Sequence, residues 1–134
     1  MLLQRAVESL YRDTVGTRRV TVVTGPRQSG KTTLVRTQLS GAGTLRSLDD
    51  QGALDAALAD PVGFAALGGR PLVIDEVQRG GEPLVRAIKQ AVDLDPSPGQ
   101  FVLTGSSNFL TVPTISESLA GRAGFCLLYT SRCV

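Results

Sequence analysis

The chain has 134 residues, 42% hydrophobic and 19% charged, with a formal net charge of +2. That length fits one domain with a real core, and that charge excludes a strong field for nucleic acid or an anionic membrane. No apolar run reaches the ~20 residues that cross a bilayer, no signal-peptide pattern opens the chain, and there is no His, which excludes His-based zinc sites and Ser-His or Cys-His pairs. A cytoplasmic protein is the default expectation. Cys126 and Cys133 are the only cysteines, and a structural disulfide is not expected in a reducing compartment.

Leu2, Leu3, Ala6, Val7, Leu10 and Tyr11 repeat at helical spacing and predict an opening amphipathic helix over 1–15, fading between Asp13 and Gly16. Arg18 and Arg19 read as solvated residues before a strand. Val20-Thr21-Val22-Val23-Thr24 is β-branched throughout and predicts a strand buried on both faces. From Lys31, the residues Leu34, Val35, Gln38 and Leu39 predict a helix ended by Gly41 and Gly43. A short strand is expected over 44–48. Asp49 or Asp50 then caps a helix with Leu54, Ala57 and Leu58 on one face. Asp60-Pro61 marks a second cap, and Gly68 and Gly69 close that segment.

Leu72-Val73-Ile74 predicts another buried strand, ending in Asp75-Glu76. Pro83 starts a helix with Leu84, Val85, Ile88, Ala91 and Val92 on one stripe. Asp95 to Gly99 is a loop by composition, and Phe101 to Thr104 is a third strong strand. Strands alternating with helices predict an α/β fold with a mostly parallel sheet.

Gly25-Pro26-Arg27-Gln28-Ser29-Gly30-Lys31-Thr32 fits G-x-x-x-x-G-K-[ST] between a strand and a helix. Triphosphate oxygens need donors, and a tight loop turns several backbone N–H groups inward to supply them. Gly25 and Gly30 admit the required backbone angles. The helix that follows adds the positive end of its dipole. Lys31 reaches the β- and γ-phosphates, and the Thr32 hydroxyl suits Mg²⁺. Arg27 either touches phosphate or faces water. Thr33, next in line, is counted with the nucleotide-binding residues.

Asp75 and Glu76 stand at the carboxyl end of an apolar strand, where open α/β sheets bind ligands. Asp75 suits Mg²⁺, directly or through water. Glu76 suits orienting and polarising an attacking water. After the third strand, Thr104, Ser106 and Asn108 are candidates to sense the γ-phosphate. Arg122, in Leu119-Ala120-Gly121-Arg122, is a candidate to stabilise transition-state charge, in cis or towards a neighbouring subunit.

The ordered series Val-Thr-Gly-Pro-Arg-Gln-Ser-Gly-Lys-Thr-Thr-Leu, Ser-Leu-Asp-Asp, Val-Ile-Asp-Glu-Val-Gln, Leu-Thr-Gly-Ser-Ser-Asn and Ser-Leu-Ala-Gly-Arg resembles the AAA-type P-loop ATPases of bacteria and archaea. The resemblance runs from Leu2 to about Gly124. It implies a P-loop NTPase three-layer αβα sandwich, incomplete at the C-terminus, with the Phe101 strand inserted between the phosphate-loop strand and the Asp-Glu strand. It places Lys31 and Thr32 in Walker A, Asp75 and Glu76 in Walker B, and Asn108 or a nearby Ser in the sensor segment. Family members continue into a helical lid and a C-terminal domain, so the resemblance implies a truncated N-terminal part with its core over 18–125. Residues 126–134 are expected to be an artefactual tail, because Cys126 to Ser131 is what a transposon adapter used in sequencing libraries would encode.

The expected function is ATP binding and hydrolysis with Mg²⁺, coupled to movement of a C-terminal domain. The alternative is a nucleotide-gated interaction module with little or no turnover. A small-molecule kinase would call for further basic residues near the loop. A GTPase would call for an Asn-Lys-x-Asp segment, which the sequence lacks. Oligomerisation, the biological target and the base-recognising residues are left open.

Overall fold

The structure is a computed structural model and describes residues 11–24, 43–105, 117, 119, 121–127 and 132–133. Residues 11–17 are helical (α1), one residue beyond the expected fading range; Thr17 Oγ1 donates to the Asp13 carbonyl at 2.9 Å. Among the described residues six strands follow: β1 Val20–Thr24, β2 Thr44–Ser47, β3 Leu72–Asp75, β4 Phe101–Gly105, β5 Ala123–Leu127 and β6 Arg132–Cys133. The boundary expected at 125 falls inside β5.

The strands form one sheet in the order β2-β3-β4-β1-β5-β6, parallel except for the antiparallel β5–β6 pair. As expected, β4 lies between β1 and β3. Val20, Phe101 and Leu72 stand level, as do Val22, Leu103 and Ile74. Side chains on both faces of these strands are buried: Val20, Val22, Val23, Val73, Val102 and Leu103 are each 0% exposed. This is the burial that a continuous β-branched or apolar run requires, because neither face can be given to water.

The helices are α2 Gln51–Ala59, α3 Pro61–Ala65 and α4 Gly81–Leu94, with a 3₁₀ turn at Val77–Gly80. Asp50, not Asp49, caps α2 by accepting from the Ala53 N–H at 2.9 Å. Asp60 caps α3 from the Gly63 N–H at 3.1 Å, with Pro61 in the first turn. Both caps satisfy donors that a helix start otherwise leaves orphaned. On α2, Ala57 is buried as expected, but Leu58 is 57% exposed. The inward stripe is Ala53, Leu54 and Ala57 instead, since Leu58 is one position round from Ala57. Helix α4 begins two residues before Pro83. Proline is tolerated there because first-turn N–H groups have no intrahelical partner. Its stripe of Leu84, Val85, Ile88 and Val92 joins Val20, Val22, Leu72, Ile74, Phe101 and Leu103 in the main core.

Candidate functional site

Asp75, Glu76 and Thr104, three of the residues that the sequence singles out, stand at the carboxyl ends of the adjacent strands β3 and β4. Through the levels Leu72–Phe101–Val20, Asp75 stands level with Val23 and one residue short of Thr24. Only β4 separates them, so Asp75 and the point where β1 passes into Gly25 share one edge, roughly 10 Å apart across two strand spacings. The phosphate loop itself, Gly25, Pro26, Arg27, Gln28, Ser29, Gly30, Lys31, Thr32 and Thr33, lies outside the described residues, as do Ser106 and Asn108.

Asp75 is 9% exposed, and its carboxylate is held from both flanking strands. The Thr104 Oγ1 hydroxyl, from β4, donates to Oδ1. The Ser47 hydroxyl, from β2, donates to Oδ2 at 3.2 Å. A buried carboxylate needs such donors, because desolvating it unpaired is costly. The two hydroxyls also fix the plane of the group. Of the three sensing candidates, Thr104 is therefore joined to Asp75. Ser47 was not foreseen; its position opposite Asp75 in register is its only signal, and that requires knowing that β2 pairs with β3.

Glu76 follows on a left-handed backbone, φ 56° and ψ 45°. This turns the chain out of the sheet and into the 3₁₀ turn. Gln78 Nε2 donates to Glu76 Oε2 at 2.6 Å. Asp49 comes close as well: one carboxylate oxygen each from Asp49, Asp75 and Glu76 lie within 4.8 Å of one another. Arg79 pairs with Asp49 at 3.0 Å, an exposed contact of small energetic weight. Three converging carboxylates repel unless a cation or proton balances them. Their hard oxygen donors, with hydroxyls alongside, match the ligand preferences of Mg²⁺. Asp49 adjoins the site because β2 ends beside β3 and the Leu48 N–H bonds the Asp75 carbonyl at 3.0 Å.

The structure does not bring Arg122 to these carboxylates. It precedes β5 at the opposite, amino end of the sheet, where its carbonyl accepts from the Val20 N–H at 3.2 Å. Three strand spacings and about four residues of strand rise separate it from Asp75, roughly 20 Å. Its guanidinium forks onto Asp93 of α4, Nε to Oδ1 at 2.6 Å and Nη2 to Oδ2 at 3.2 Å. That hydrogen bond pulls the Asp93 carboxyl below its ordinary range and raises Arg122 further. An in-cis role at the Asp75 edge is thus not what this arrangement provides. Arg70, also at the amino end, stacks 4.7 Å from the Phe101 ring centroid, and burial lowers its pKa.

The comparisons with known proteins agree with this architecture. A family model described as an AAA domain matches residues 17–132. One uncharacterized protein of Mycobacterium bovis and one of Mycobacterium tuberculosis are each 40% identical over 105 residues, which is 77% of this chain and 23% of each relative. The chain therefore spans about a quarter of the curated relatives it matches. Among solved structures, the Thermotoga maritima RuvB Holliday junction branch migration motor aligns with a TM-score of 0.50 at 24% identity, over 95% of this chain and 42% of the motor. A point variant of that motor aligns with a TM-score of 0.48 at 25% identity, with the same coverage. No helix among the described residues is long and apolar enough to cross a membrane. The chain has the mostly parallel α/β fold of the P-loop NTPases and belongs to the AAA domain family, of P-loop ATPase type.

Proposed function

We propose that this chain binds ATP with Mg²⁺ and hydrolyses it, coupling nucleotide state to the movement of a C-terminal domain. One observation carries the reading. The insertion of β4 between β1 and β3 puts the hydroxyl-clamped Asp75 and the strand leading into Gly25 on one edge. In this reading the loop amides from Gly25 to Thr32 cradle the phosphates, with Lys31 against the outer ones. Thr32 and Asp75 hold Mg²⁺, and Asp49 stands near enough to contribute through water. When bound, Mg²⁺ supplies charge neutralisation at the phosphate oxygens. Glu76 accepts a hydrogen bond from the attacking water and polarises it towards the γ-phosphate. One of Thr104, Ser106 and Asn108 senses the outer phosphate.

Steady-state phosphate release from ATP tests the reading. Release that saturates with ATP and stops when Mg²⁺ is chelated is the expected result. Tight ATP binding with no release above the blank would replace hydrolysis with nucleotide-gated interaction.

A further inference from the structure

In the proposed function Glu76 orients water, and it does so from a position just outside the sheet. It lies one residue past the end of β3, in a backbone region that a residue with a side chain enters at a cost. Such conformations persist where the surroundings over-determine them. Among the contacts that support it here are two within the next turn of chain. The Arg79 N–H bonds the Glu76 carbonyl at 3.1 Å. The Gln78 amide Nε2 donates to Glu76 Oε2 at 2.6 Å, a short bond to a charged acceptor and so of the stronger class.

Gln78 is itself committed to this contact. It sits between buried Val77 and buried Gly80 in the 3₁₀ turn, and its Oε1 is buried with no hydrogen-bond partner. An unpaired buried carbonyl is unfavourable. Turning the amide over would be worse, because it would set that oxygen against the Glu76 carboxylate. The side chain is thus held in one orientation by the bond it makes to Glu76.

We propose that Gln78 is a positioning residue, whose amide holds the Glu76 carboxylate in the orientation from which it addresses water. This rests on the reading of Glu76 given above. Without the amide, the glutamate carboxylate loses one donor that fixes its orientation, and turnover falls while nucleotide affinity stays.

The test uses the full chain with Gln78→Ala, Gln78→Met and Glu76→Gln, reading phosphate release and the Kd of a fluorescent ATP analogue. Methionine keeps the volume of glutamine without its amide. Both Gln78 variants are expected to hold Kd within about twofold and to lose turnover by roughly ten- to a hundredfold, the scale of a small misplacement. Parental turnover in Gln78→Met would overturn the proposal, since packing alone would then suffice. If Glu76→Gln blocks turnover while Gln78→Met does not, only the Gln78 assignment fails. If Glu76→Gln leaves turnover intact, the reading of Glu76 fails first and takes this one with it. A measurement independent of turnover is a double-mutant cycle on urea midpoints. Gln78→Met should lower the midpoint in the parent but leave it level or raised in a Glu76→Ala background, where the amide has lost its acceptor. Equal shifts in both backgrounds would contradict the bond.

Discussion

Thr104 and Asp75, on adjacent parallel strands, are joined by a hydrogen bond from the Thr104 hydroxyl to Asp75 Oδ1. Thr104 is 1% exposed and Asp75 9%, so water cannot easily replace the donor. Thr104→Val preserves shape and removes that donor. It is expected to lower stability by about 1–3 kcal/mol, the range for losing one hydrogen bond to a buried charged group, and to raise the Mg²⁺ concentration needed for half-maximal turnover. Urea denaturation and a Mg²⁺ titration check the two effects. An unchanged urea midpoint would show that the contact carries little.

Glu76→Gln keeps size and hydrogen-bonding reach but removes the basic carboxylate. ATP binding should persist, while phosphate release falls by roughly 10²–10⁴, the range for losing a positioned acid or base. Single-turnover release after mixing with Mg²⁺ and ATP separates this from slowed product release.

How far the sequence foretells the structure varies by element. The strands at 20–24, 72–75 and 101–105 are legible because buried parallel strands are runs of β-branched or apolar residues bounded by Gly and acidic breaks. The cap at Asp60 is legible because its donors are local in sequence. Leu58 misleads, because helical spacing marks a stripe without saying where its edge meets solvent. Ser47 and Asp49 escape as site residues for another reason: their approach to Asp75 depends on which strands pair. Arg122 shows the same limit. A cationic residue late in the chain is easy to single out, but only the register of β5 against β1 shows it at the amino end, bound to Asp93.

The Asp93–Arg122 contact makes a pH prediction. Its hydrogen bond from Arg122 places the folded Asp93 carboxyl below the ordinary aspartate value, about 3.9 in unfolded chains. The pair therefore contributes in full above that value and fades as pH falls through the lower folded value. The parent should be more stable than Asp93→Asn near neutrality, and the difference should shrink below about pH 4. Exposure of the pair keeps the effect small and reduces it further in high salt. Urea midpoints across pH, at low and high salt, check it.

Gly80 closes the turn that follows Glu76. A Cβ there would run into the side chain of Leu84 and approach Leu48 Cδ1 at 3.3 Å, and both leucines are 0% exposed. Gly80→Ala is expected to destabilise by about 1–3 kcal/mol through overpacking. Combining it with Leu84→Ala should cost less than the sum of the two changes, read by thermal melts of the four proteins.

The proposed activity requires a nucleotide seated between the Lys31 loop and Asp75. Calorimetric titration of ATP with Mg²⁺ into the parent, Lys31→Ala and Asp75→Asn tests it most directly. The parent should bind with a Kd of micromolar order, in the usual range for enzyme substrates. Lys31→Ala should lose measurable binding, and Asp75→Asn should lose its dependence on Mg²⁺. Parental affinity in Lys31→Ala, with an unaltered Mg²⁺ requirement in Asp75→Asn, would contradict the account.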